Sequence, residues 1–147
     1  WKLIYNIGDF DGIIASRAIK DSIVKASLYR KLTNRGFNTL VKLLLHLKFK
    51  DTQCGAKLFK RKTIKEILKN KIVTQWAFDV DLLYKLKRKK IKEISTIWED
   101  MAGSKINLKT PLKMFSSVIR LRLVYSPFSF VIRAYDLLPE RIKMHSL

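Results

Sequence analysis

Cysteine is almost missing from this chain: Cys54 stands alone among 147 residues. No internal disulfide can form, and nothing signals an oxidising compartment. Histidine is nearly as scarce. His46 and His145 lie far apart, so no Cys/His group has zinc-ligand spacing. No Ser/His/Asp arrangement is convincing either, with His145 so close to a terminus. Long apolar runs are lacking too. The longest uncharged stretch is LVYSPFSFVI, residues 123–132, and Pro127 interrupts it. A spanning helix needs ~20 apolar residues, so the sequence predicts no membrane crossing. No N-terminal stretch reads as a signal peptide. The first residue is Trp1 rather than Met, which points to a processed or partial product or to numbering that starts inside a longer protein.

Acidic residues are the last shortage. Only 12 Asp and Glu face 31 Lys and Arg, for a formal net charge of +19. Apolar residues still make up 48%, so this is not a disordered polycation. The length suits one domain with a modest core. A folded domain this basic seeks an anionic partner. The candidates are nucleic acid, an anionic membrane surface and a phosphorylated substrate. RNA readers add exposed aromatics on a sheet or a recognisable module. No such signature is present, so nucleic acid is not the expected partner.

Hydrophobic periodicity predicts an α/β fold. DGIIASR (11–17) reads as a buried strand ending in a polar loop. From Ser22 to Leu47 the pattern is helical, carried by Leu28, Leu32, Leu40, Leu44 and Leu47, with Gly36 as an interruption. GAKLFKR (55–61) alternates like a half-buried strand, and KTIKEILKN reads as a short helix with Thr63 as a possible cap. A helix is predicted from near Phe78, with Asp79 and Asp81 in its first turn and the basic run 85–90 closing it, the order of signs that the helix dipole favours. IKEISTIW (91–98) alternates as a strand, and residues 99–110 read as a loop. Leu112 to Tyr125 and Phe128 to Leu138 read as amphipathic helices broken at Pro127. They mix aromatic and aliphatic residues with Arg, as interfacial helices do. The expected division is 1–110 for the domain and 111–147 for these helices.

The order of the polar motifs carries more information than any one of them. A strand ends in ASR. Then come SLYRKLTNRGFN, DTQCGAKLFKR, WAFDVDLL and a late GSK. This series resembles the C-terminal half of family 2 glycosyltransferases that use polyprenyl phosphate acceptors, of the dolichyl-phosphate β-glucosyltransferase type, with dolichyl-phosphate mannose synthase more distant. The match covers roughly residues 11–122. The resemblance implies the C-terminal half of a GT-A fold. It implies inverting transfer of a hexose, expected to be glucose from UDP-glucose, to a polyprenyl or dolichyl phosphate. The setting it implies is cytoplasmic, peripheral at the cytoplasmic membrane face. A nucleotide-sugar donor, a lipid phosphate and an N-terminal half outside this chain are the implied partners. An inactive remnant or a subunit of a split transferase is the alternative, and a basic nucleic-acid-binding domain a weaker one.

The resemblance also assigns residues. Asp51 and Asp79 are the catalytic candidates. Asp79 stands where related transferases place a general base, although a phosphate monoester, with a second pKa of about 6, is already anionic and can attack unaided. Arg17, Arg30, Asn34, Ser104 and Lys105 are the expected acceptor-phosphate ligands. Arg suits that role because its planar fork matches phosphate oxygens. Gln53, Gly55, Trp76 and Asp81 fall around the implied active-site loop, where Gly55 would permit unusual dihedrals. Mg or Mn is expected in the complete enzyme, held by an Asp-x-Asp motif upstream. DFD (9–11) spells that motif but lies too near Arg17, and is expected to be a solvated turn. The plainer counterpart of each assignment is a backbone cap for Asp51, helix-dipole stabilisation for Asp79 and Asp81, and surface charge for the cations.

Overall fold

The computed structural model describes residues 2–68, 77–100 and 109–130. Helix α1 (Lys2–Asn6) leads into strand β1 (Gly12–Ser16), whose five residues are all buried. Strand β2 (Ile23–Lys25) and helix α2 (Leu28–Leu45) follow, then strand β3 (Lys57–Phe59) and helix α3 (Arg61–Leu68). Helix α4 (Phe78–Lys85), strands β4 (Ile91–Ser95) and β5 (Ile97–Glu99) and helix α5 (Lys109–Val124) complete the order of described elements.

The fold is mixed α/β. β1 runs down the middle of a three-stranded sheet of order β3-β1-β4, antiparallel to β3 and parallel to β4. β2 and β5 form a separate parallel pair, with Val24 opposite Trp98. Central position explains the apolar run Ile13, Ile14, Ala15: a strand covered on both faces has no solvated side to alternate towards. Gly12 is required by close packing. A Cβ there would lie 2.3 Å from the Phe59 ring on β3. The core joins Ile14 to Val41 and Leu45 of α2, Val80 and Leu83 of α4, and Val118 and Leu121 of α5. Each fully buried aliphatic side chain stabilises the fold by ~1.5–3 kcal/mol relative to exposure.

Several expectations need correction. Ile23–Lys25 is a strand, not the start of a helix, because it finds a distant partner in β5. α2 runs through Gly36 unbroken, started by Ser27, whose hydroxyl accepts the Arg30 N–H at 3.3 Å, and ended by His46 in the left-handed region at φ 54°. Its buried residues are Asn38, Val41 and Leu45, whereas Leu28 and Leu32 are exposed. Thr63 lies inside α3 rather than capping it. Residues 91–98 divide between two sheets, and α4 ends at Lys85, before most of the basic run. α5 starts at Lys109, earlier than expected, and buries Val118 and Leu121 in the core. Of the second C-terminal helix, residues from 131 onward lie outside the described residues.

Candidate functional site

Arg17 leaves the carboxyl end of buried β1, and the segment around Asp51 comes to meet it. Two anchors hold that segment. The Glu93 carboxylate of β4 accepts the Lys50 N–H at 2.9 Å and the Asp51 N–H at 3.1 Å. Asn38 Oδ1 on α2 accepts the Thr52 N–H at 2.9 Å and its hydroxyl at 2.8 Å. Asp51 is thereby fixed beneath Arg17, with only 2% of its side chain exposed. Arg17 donates from Nε to Oδ2 at 2.7 Å and from Nη2 to Oδ1 at 2.9 Å, and its backbone N–H adds a bond of 3.0 Å. The Gln53 N–H donates to Oδ1 at 3.1 Å. Burial pushes the Asp51 carboxyl up, but its hydrogen bonds with Arg17 and the charge beside it prevail and hold it below the ordinary carboxylate value. The same hydrogen bond holds the Arg17 guanidinium more firmly protonated than usual, against the opposing effect of burial. Asp51, a catalytic candidate in the sequence, is the bidentate partner of Arg17.

Arg30 reaches the same place from the first turn of α2. The Arg17 guanidinium carbon lies 5.3 Å from the centroid of the Trp98 ring, and that of Arg30 lies 5.5 Å from it. Arg30 Nη1 also donates to Asp100 Oδ1 at 2.5 Å. Two residues expected to share a ligand are thus brought onto one indole. Sequence reasoning missed Trp98 and Asp100. The available signal was an aromatic followed by two acidic residues at the end of an alternating stretch.

Arg17 and Asp51 border a cavity of about 550 Å³. Lys20, Lys31, Arg35, Lys42 and Lys50 line it too, as does Asn34. Asp51, already paired, is the one carboxylate among its lining residues. So one-sided a lining attracts anions, since a cleft concentrates the field of the charges along it.

The remaining expected residues separate. Asp79 is 38% exposed and pairs at 2.9 Å with Lys57 Nζ, whose side chain is 6% exposed. Lys57 also donates to the Cys54 carbonyl. Lys57, unremarked in the sequence, therefore ties the 51–55 segment to the start of α4. Asp81 turns into the core instead. Its Oδ1 accepts the Tyr125 hydroxyl at 2.6 Å and its Oδ2 accepts Lys85 Nζ at 3.1 Å. Burial and that bond raise the Tyr125 phenol far above its ordinary value, so it stays a donor. This places Asp81 in a joint between α4 and the end of α5. Gln53 extends its amide towards the Met114 sulfur. Gly55 is exposed, with open space where a Cβ would be, and it is not among the described residues with positive φ. The expected dihedral role is therefore absent. Trp76, Ser104 and Lys105 lie outside the described residues.

Among the described residues no group of three or more His, Cys, Asp or Glu is placed to hold a metal ion. The side chain of Asp11, in the DFD turn, accepts the Lys90 N–H at 2.8 Å. The described residues do not form a divalent-ion site, and the resemblance put the ion's Asp-x-Asp ligands upstream of them.

A buried strand thus delivers an arginine to a cation-lined cavity, beside DTQCG and an acidic helix start. Comparison with known proteins adds the family. The chain is 41% identical over 101 residues to the dolichyl-phosphate β-glucosyltransferase of Drosophila melanogaster, covering 65% of this chain and 31% of the relative. It is 38% identical over 109 residues to that of Homo sapiens, covering 72% and 34%. It is 34% identical over 108 residues to that of Dictyostelium discoideum, covering 71% and 33%. The chain belongs to the family 2 glycosyltransferases of the dolichyl-phosphate β-glucosyltransferase type. The match spans about one third of the length of these curated relatives. No family model and no solved structure matches it.

Proposed function

We propose that this chain is the acceptor-side portion of a GT-A glycosyltransferase that moves glucose from UDP-glucose to dolichyl phosphate with inversion. The observation that carries this reading is the pair Arg17 and Arg30 on Trp98, with Arg17 bordering a cavity lined by cations. The relatives' names supply the acceptor class. In the reaction a lipid-phosphate oxygen bonds to the anomeric carbon while the bond from that carbon to the diphosphate breaks, and UDP leaves with the electron pair. Arg17 and Arg30 neutralise and orient the acceptor phosphate. Asp51 keeps the Arg17 fork fixed rather than moving a proton. Asp79, held by Lys57, orients the reacting groups, because the acceptor needs no base near neutral pH. Ser104 and Lys105 join the phosphate ligands by resemblance. A divalent ion belongs to the complete enzyme, and an N-terminal portion outside this chain supplies the donor site.

The setting of the reaction follows from the lipid. We assign the chain to the cytoplasmic membrane face as a peripheral protein. In support, α2 exposes Leu28, Tyr29, Leu32 and Leu43 beside the row of Lys31, Arg35 and Lys42. No helix among the described residues is long and apolar enough to cross a membrane.

The test is turnover with UDP-glucose, Mg²⁺ and dolichyl phosphate, for this chain alone and for the chain joined to a relative's nucleotide-binding portion. The chain alone should be silent and the joined protein active. In the joined protein, Arg17→Ala should cost ~2–4 kcal/mol of transition-state stabilisation, the scale of losing one preorganised donor. Arg17→Lys, which keeps charge but loses the fork, should recover only part. Undiminished turnover by a folded Arg17→Ala protein would remove Arg17 from the site.

A further inference from the structure

We infer that Trp98 is a positioning residue, an aromatic platform that sets the spacing and orientation of two phosphate-gripping guanidinium groups. The inference rests on the phosphate reading above. Arg17 and Arg30 come from different elements, one from the end of β1 and one from α2. Their guanidinium carbons nevertheless lie 5.3 and 5.5 Å from one ring centroid. Two like charges drawn to one site repel, and that repulsion has to be offset by negative groups around them. The indole face supplies a negative quadrupole to both. Asp51 pairs with the Arg17 guanidinium and Asp100 with that of Arg30.

Trp98 itself is well anchored. β5 pairs with β2 through Trp98 and Val24, and the Asp100 N–H donates to the Lys25 carbonyl at 2.9 Å. An ordinary structural role would place this tryptophan in the hydrophobic core. The core cluster does not include it, and it is only partly buried. Its ring contacts are with the two arginines. Asp51 takes the Nε and Nη2 edge of Arg17, and the Trp98 ring contacts the same guanidinium, so the group is held by both. Without the platform the side chains survive, but the two forks no longer share a fixed geometry. A phosphate then has to arrange them at the cost of their rotamer freedom.

The experiment measures binding of a soluble two-isoprene prenyl phosphate to the full chain by calorimetry. Arg17→Ala, Trp98→Leu and Trp98→Phe are compared with the parent, and folding is checked by thermal melting. Trp98→Leu should weaken binding about tenfold, the scale of losing two exposed cation–π contacts. Trp98→Phe, which restores a weaker aromatic face, should return affinity to within about threefold of the parent. A second readout stands even where Trp98→Leu fails to fold. With Trp1→Phe and Trp76→Phe in place, Trp98 is the sole tryptophan; once calorimetry shows that this background binds the prenyl phosphate as the parent does, its emission should shift on saturation. Loss of binding in Arg17→Ala, together with full affinity in a folded Trp98→Leu or with unchanged Trp98 emission, overturns the platform and leaves the phosphate reading standing. No binding by the parent, or binding indifferent to Arg17→Ala, overturns both.

Discussion

Asp51 shows how one side chain links fold to chemistry. It is a buried anion that would be costly alone, and four N–H donors from Arg17 and Gln53 make it tolerable. Breaking a buried pair by removing one charge leaves the other uncompensated and costs about 3 kcal/mol, nearer the lower end of the usual range because Arg17 keeps some exposure. Asp51→Asn should therefore lower the urea midpoint at neutral pH. Linkage gives the effect a sign. Asp51 has a folded pKa below the ordinary carboxylate value of 3.8, so its contribution is fully present above that value and is lost as pH falls through the folded pKa. The parent and Asp51→Asn curves should converge below about pH 3.8 and stay apart at neutral pH. A gap unchanged by acid would mean that the carboxylate charge is not what stabilises the segment. Lys57 invites a parallel test on activity. Lys57→Met removes the partner of Asp79 and the donor to the Cys54 carbonyl, and Lys57→Arg keeps the charge. In the completed enzyme, Met should lower turnover and Arg should retain more of it.

At the scale of elements, two glycines make opposite predictions from similar letters. Gly12 in β1 faces the Phe59 ring, and an added Cβ would sit 2.3 Å from Cδ1 and 3.0 Å from the Leu58 carbonyl. Gly12→Ala should destabilise by ~1–3 kcal/mol, as overpacking does, and Phe59→Leu added to it should recover part of the melting temperature. Gly36 sits mid-helix in α2, where a Cβ meets nothing within 4 Å. Gly36→Ala should stabilise by ~0.5–1 kcal/mol, because glycine loses more backbone entropy on folding. A fall in melting temperature for Gly36→Ala would contradict the continuous helix. The same contrast explains what the sequence could and could not disclose. β1 was legible because a central strand needs an unbroken apolar run, and α4 because acidic residues gather in its first turn. β2 was not legible, since three residues with exposed ends become a strand only by pairing with residues more than 70 positions away. Motif order singled out Arg17, Arg30 and Asp51, but not that Asp51 would clasp Arg17. Trp98 escaped notice because the arginines on its ring come from segments distant in sequence.

The whole molecule presents a charge problem that its surroundings must solve. A net charge of +19 repels itself, and in α2 the cations form a row beside the exposed Leu28, Leu32 and Leu43. An anionic bilayer would relieve both burdens. Each cation near the surface contributes ~1 kcal/mol of attraction, and apolar side chains that enter the acyl boundary add burial energy of ~25 cal/mol per Å². The two contributions differ in how they respond to salt. Coulombic attraction fades as the Debye length shrinks from ~10 Å at 0.1 M to ~3 Å at 1 M, whereas apolar burial does not. Sedimentation with anionic and neutral liposomes at both salt concentrations separates them. The parent should bind anionic liposomes strongly at 0.1 M, retain a weak salt-resistant fraction at 1 M, and bind neutral ones weakly at either. Leu28→Ser with Leu32→Ser should abolish the salt-resistant fraction without changing the melting temperature much, because both side chains are exposed in the fold, at 78% and 66%. Lys31→Gln with Arg35→Gln should weaken binding at 0.1 M and leave the salt-resistant fraction intact. Equal binding to anionic and neutral liposomes, indifferent to salt and to both pairs of substitutions, would exclude α2 as the surface that meets the membrane.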